Sequence, residues 1–157
     1  NHTDIASMET DEKFRLRLGE LFRSQNLAAL STHHADQPYA SLVAFYASND
    51  LKYVYFVTAK TTRKFANLTA NNRVAIMVNS STNQISDFHE AISVTAVGKA
   101  KEVAGADKEP ILSQYLAKHP YLEDFARAPT CALVRVVVAS YYMVKNFQNV
   151  MELHLEP

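Results

Sequence analysis

Two hydroxyls and two cations stand in a row at Thr61, Thr62, Arg63 and Lys64, inside the stretch YVYFVTAKTTRKFANLTANNRVAIMV that runs from Tyr53 to Val78. The alternation and composition of that stretch predict a strand, a tight turn, a short helix and a second strand, with the four residues at the point where strand gives way to helix. A helix start presents unpaired N–H groups and the positive end of the macrodipole, so hydroxyls and cations added there make a phosphate site. Cations at a helix N-terminus are mildly disfavoured by the dipole, and a bound anion would offset that. The plain alternative is an N-cap threonine followed by an exposed basic pair. Only three glycines occur (Gly19, Gly98, Gly105), so neither a Walker loop nor a GxGxxG loop can be written anywhere. A phosphate would have to be held by side chains and a helix end.

Other chemistries find less support. His33 and His34 are adjacent on a predicted strand and leave on opposite faces; His2, His89, His119 and His154 have no partner at ligand spacing, so no metal site is expected. The single Cys131 opens an apolar strand, where a free cysteine is usually a core residue, and no GxSxG elbow is present. The aromatic run YVYF suits a β-core strand and is not by itself a cofactor box.

Sixteen Lys+Arg balance sixteen Asp+Glu, which leaves no overall field to steer the chain toward nucleic acid or an anionic membrane. One cysteine cannot form an internal disulfide, and the expected setting is the reducing cytoplasm. No apolar run reaches the roughly 18 residues of a membrane span. The opening NHTDIASMET lacks the regions of a signal peptide, so residues 1–10 are expected to be a disordered or added leader and 11–157 a single domain.

The elements that must position the Thr-Thr-Arg-Lys cluster follow from periodicity. Asp11 to Gln25 reads as a helix with Phe14, Leu18, Leu21 and Phe22 on one face, capped by Thr10. Strands are expected at 27–33, 38–47 and 51–59, joined by the turns ADQ and SND. In the third, Tyr53, Tyr55 and Val57 face one way and Val54, Phe56 and Thr58 the other, both faces apolar enough for a central strand. A helix over 62–70 should bury Phe65 and Leu68, with Arg63 and Asn67 on another face and Asn71-Asn72 ending it. Val74–Val78 reads as a strand covered on both sides, 80–87 as a polar, mobile connector, and 89–103 as a strand with a bulge or close approach at Gly98. A helix capped by Asp107, with Ile111, Leu112, Tyr115 and Leu116 inward, precedes a short helical piece near 121–127 and strands at 132–147 and 150–155. The sum is a mainly β (α+β) chain: six or seven antiparallel strands in a closed or partly closed barrel with peripheral helices.

Four pieces in order, PYASLVAFY (38–46), YFVTAKTTRKFANLTANNRVAI (55–76), ISVTAVGKAKEV (92–103) and LVRVVVASYYMVKNF (133–147), resemble the pyridoxamine 5′-phosphate oxidase-like family of FMN-binding split β-barrels. The resemblance spans roughly Leu27 to Leu155, and its most specific part is Thr58 to Lys64 followed by Asn72-Arg73-Val74. It implies a cytoplasmic homodimer with two FMN molecules at the subunit interface. It further implies that Arg63 and Lys64 hold the phosphate beside the Thr62 hydroxyl, that Val57 and Thr58 lie along the flavin, and that the backbone of Ser41, Leu42 and Val43 contacts the isoalloxazine edge. The planar fork of Arg and the mobile charge of Lys suit phosphate oxygens.

Departures from the family pattern narrow the activity. Ser41 stands where the oxidase carries an arginine, Ser93 stands near the place of a glutamine, and the substrate-holding C-terminal segment rich in Arg and Trp has no counterpart in a chain without Trp. These argue against pyridoxamine phosphate oxidation and toward the shorter branch of flavin-dependent reductases and stress-associated flavoproteins, some of which bind FAD, a deazaflavin or haem. No side chain stands out as a catalytic acid or base, which a flavin reductase tolerates because the hydride chemistry is the cofactor's. The expected function is an FMN-dependent oxidoreductase using a small-molecule electron donor and acceptor. The alternatives are a flavin carrier or sensor without turnover, and a haem-binding or haem-degrading relative with His154 as axial ligand.

Overall fold

The computed structural model describes residues 2–147 and 149–156, with side chains described from Thr10 onward. Seven strands form one sheet: β1 (Leu27–His34), β2 (Gln37–Ala47), β3 (Tyr53–Ala59), β4 (Arg73–Asn79), β5 (Ile92–Glu102), β6 (Cys131–Lys145) and β7 (Asn149–His154). Their order is β3-β2-β1-β4-β5-β6-β7, every described pairing is antiparallel, and β3 also pairs with β6. That last pairing closes six strands into a barrel and removes its edges. β7 is left outside, on the far half of β6.

The length of β6 makes both arrangements possible. Its first half, Cys131–Val137, pairs with β3; its second half, Ser140–Lys145, pairs with β7. Between them the register against β5 shifts at Val97/Gly98, so Ala139 is the extra residue of a bulge. Gly98 is required there: a Cβ would lie 2.2 Å from the Val137 carbonyl oxygen. The bulge or close approach expected at Gly98 is therefore present.

Alternation fills the barrel with Leu30, Phe45, Val54, Phe56, Ile76, Val94, Val134, Val136, Tyr141 and Met143. Helix α1 (His2–Ser24) adds Phe14, Leu18, Leu21 and Phe22 to the same core. It begins well ahead of the expected Asp11, since no glycine or proline interrupts 2–18. A second cluster lies outside the barrel wall, where Tyr55, Val57 and Leu133 meet Leu112, Tyr115 and Ala126. Those partners come from α4 (Lys108–Lys118) and α5 (Glu123–Arg127). β3 is thus buried on both faces, as its sequence predicts.

Three expectations need correction. β4 is not covered on both sides within this chain: Val74, Ile76 and Val78 face the core, while Ala75 and Met77 face outward. The connector is tied by Asp87, whose carboxylate accepts the N–H groups of Thr82, Asn83 and Gln84 and opens the short helix α3 (Asp87–Glu90), so β5 starts at Ile92 rather than at residue 89. Asp107 precedes α4 without a side-chain cap bond. Among the described residues no helix is long and apolar enough to cross a membrane.

Candidate functional site

β3 ends at Ala59, and four residues later the chain is helical in α2 (Arg63–Ala70). Thr62 makes that turn possible. Its hydroxyl donates to the Ala59 carbonyl (2.9 Å) and accepts the Phe65 N–H (3.3 Å), a side-chain N-cap. The buried Thr58 hydroxyl meets it at 3.0 Å. The first turn of α2 carries no acidic side chain to neutralise its positive end. Leu68 anchors the helix in the core, and Asn67, expected on a different face from the buried pair, is buried beside it with its Nδ2 donating to the Thr32 hydroxyl (3.1 Å). A satisfied amide can be buried there where an unpaired one could not.

The facing wall is α4, fastened to β2 by two side chains. The Tyr115 hydroxyl donates to the Ala44 carbonyl (3.1 Å), and the His119 Nε2 contacts the Phe45 carbonyl at 2.7 Å. The carbonyl can only accept, so Nε2 carries the proton. Burial holds the imidazole below its usual pKa and pushes the Tyr115 phenol up to about 12.

Between β2, the end of β3, the start of α2 and the α4–α5 wall lies a cavity of about 360 Å³. That volume is within the range of small-molecule pockets. Leu42, Val43, Val57, Thr58, Thr62 and Lys64 line it, six of the eight residues singled out in the sequence. Two stand apart. Arg63 is exposed, its guanidinium 5.6 Å from the centre of the Tyr39 ring. Ser41 does not line the cavity; its hydroxyl is buried and has no hydrogen-bond partner among the described residues. Sequence reasoning missed Ala44, Ala59, Leu122 and Phe125 as lining residues, and gave Tyr115 only as part of a buried helix face. A tyrosine on an otherwise aliphatic face was the available signal, since a buried phenol usually needs a partner.

The cavity has one charged corner, Lys64 beside the α2 start, and largely apolar walls from Leu42, Val57, Leu122 and Phe125. This donor set suits a ligand with a flat apolar body and one anionic end, and flavin mononucleotide fits that description. His154 is elsewhere: its Nδ1 meets the Ser140 hydroxyl at 2.7 Å and its Nε2 meets the Glu152 carboxylate at 3.0 Å. No group of three or more potential metal ligands occurs among the described residues. Cys131 is free and buried in the outer cluster.

Comparison with known proteins is consistent with this architecture. The family described as pyridoxamine 5′-phosphate oxidase matches residues 17–145. No curated protein matches. Among solved structures, General Stress Protein 26 from Bacillus anthracis is similar with a TM-score of 0.71 at 14% identity, over 90% of this chain and 98% of that one. A heme binding protein from Mycobacterium smegmatis gives 0.75 at 14% identity over 87% of this chain, which spans only 56% of that protein. A FAD-binding protein from Mesorhizobium loti gives 0.63 at 13% identity, over 82% and 91% of the two chains. At these identities the likeness is one of fold.

Proposed function

The chain belongs to the pyridoxamine 5′-phosphate oxidase-like split-barrel family, and from that premise we propose that it is an FMN-binding oxidoreductase acting on a small-molecule donor and acceptor. The observation that carries this reading is the cavity of about 360 Å³ in which Val57, Thr58, Thr62 and Lys64 meet Leu42 and Val43. Lys64 and the N–H groups opening α2 hold the phosphate, the β3 end lies along the ring, and the α4–α5 wall excludes water from its face. The flavin supplies hydride transfer; the protein binds and orients it. Arg63 contributes long-range attraction rather than direct contact, given its exposed position.

The functional unit is a homodimer. Leu27, Leu42 and Met77 are large, exposed residues on the outer faces of β1, β2 and β4. A second copy laid over them buries that surface and, because Leu42 also lines the cavity, covers the cavity's open side. Among the described residues no histidine lines the cavity, which leaves a haem iron without an imidazole ligand there.

The test is a visible spectrum of the purified protein during FMN titration, with sedimentation to give the oligomeric state. Bound oxidised flavin that bleaches with a nicotinamide donor and recovers with an acceptor supports the oxidoreductase. Bound flavin that never turns over makes the protein a carrier. A Soret band without flavin would sink the proposal.

A further inference from the structure

The outer face of the barrel, beyond the Tyr55 side of the outer cluster, carries an arrangement that the fold does not explain. Register places Arg73 directly opposite Lys99, and Lys101 directly opposite Arg135. Val74, Ala100 and Val136 point into the core, so their strand neighbours Arg73, Lys99, Lys101 and Arg135 share the outward face. Like charges directly opposed across strands are destabilising, and here two such pairs adjoin. None of the four forms an ion pair with a carboxylate among the described residues. The nearest acid along β5, Glu102, is paired with Lys60 instead.

Beside the cations lies an aromatic and apolar surface. Lys99 is opposite Val137, and Val137 is opposite Tyr53. The Arg135 guanidinium sits 4.9 Å from the Tyr53 ring centre and 5.5 Å from that of Tyr55, with its Nε donating to the Tyr55 hydroxyl (3.2 Å). With only its Nε engaged, the guanidinium keeps its terminal N–H groups for another acceptor. A cavity of about 380 Å³ opens where β3 and β7 part along β6, lined by Tyr53, Val137, Leu155, Lys52 and Lys99, with Glu156 as its acidic member.

We propose that this face is a second ligand site, and that it binds a nucleoside polyphosphate. The phosphates lie over Lys99, Lys101, Arg135 and Arg73, where they neutralise the opposed pairs. The base enters the cavity against Tyr53 and Val137. A cavity this size admits one ring system, and the cation cluster beside it matches a short run of phosphates rather than a single carboxylate.

Calorimetric titration with adenosine 5′-triphosphate, in the presence of excess FMN, tests the assignment. The expected result is saturable one-to-one binding that weakens with salt and falls at least tenfold in Lys99→Glu and in Lys101→Glu. Both residues are exposed, and each substitution relieves an opposed pair, so thermal melts of the free variants should show unchanged or higher midpoints. Pyrophosphate should compete, yet bind at least tenfold more weakly because it leaves the cavity empty. Four outcomes overturn the proposal: no binding, displacement by FMN, indifference to the charge reversals, or equal affinity for pyrophosphate. Binding of a single-stranded oligonucleotide without binding of the mononucleotide would also overturn it, in favour of a polymer groove.

Discussion

Lys64 and Arg63 are neighbours with the same charge, yet their surroundings predict unequal consequences for flavin binding. Lys64 lines the cavity at the start of α2; Arg63 points to solvent across Tyr39. Removing a charge-assisted hydrogen bond to phosphate costs about 1.5–3 kcal/mol, so Lys64→Ala should weaken FMN roughly 10- to 150-fold. Removing an exposed cation that acts only through solvent costs about 0–1 kcal/mol, so Arg63→Ala should weaken it about fivefold or less. Salt sharpens the contrast. The Arg63 effect should vanish in about 0.5 M salt, where the Debye length is only a few ångströms, while most of the Lys64 effect persists. Flavin fluorescence quenching, titrated for each variant at low and high salt, reads both numbers directly. Equal losses for the two residues, or none for Lys64, would refute the assignment of the phosphate to the α2 start.

Three further predictions concern the frame around the sites. Gly98→Ala places a methyl group against the backbone at Val137, which cannot yield as a side chain would, and should cost about 3 kcal/mol in urea denaturation; a loss below 1 kcal/mol would mean that the bulge relaxes. Asn67→Ala strips the buried Thr32 hydroxyl of its amide partner and should cost about 2 kcal/mol, with Asn67→Asp no better at neutral pH because it buries a charge. Tyr115, whose folded pKa is raised to about 12 from 10.0, should stabilise the fold fully below pH 10 and lose that contribution as pH rises from 10 to 12. Tyr115→Phe should flatten the decline of stability across this interval.

The sequence made the α2 region legible because its signals are local. Thr62, the Phe65/Leu68 spacing and Asn71 are read within one or two turns of chain, and the helix lies where they put it. Gly98 was legible for a related reason: a lone glycine in an apolar strand marks a backbone contact, here with Val137. What local patterns cannot carry is which strand meets which. The closure of the barrel rests on β3 pairing with β6, some eighty residues apart at Tyr55↔Arg135, and periodicity says nothing about register across that distance. The same blindness hid the far wall of the cavity. Tyr115, Leu122 and Phe125 belong to the site because α4 is fastened to β2 by Tyr115 and His119, contacts that join residues more than seventy positions apart. It also hid the cation cluster. The overall charge is zero, and Arg73, Lys99, Lys101 and Arg135 are scattered along the chain. Only antiparallel register gathers them on one face, so a balanced composition excludes a basic protein but not a basic site.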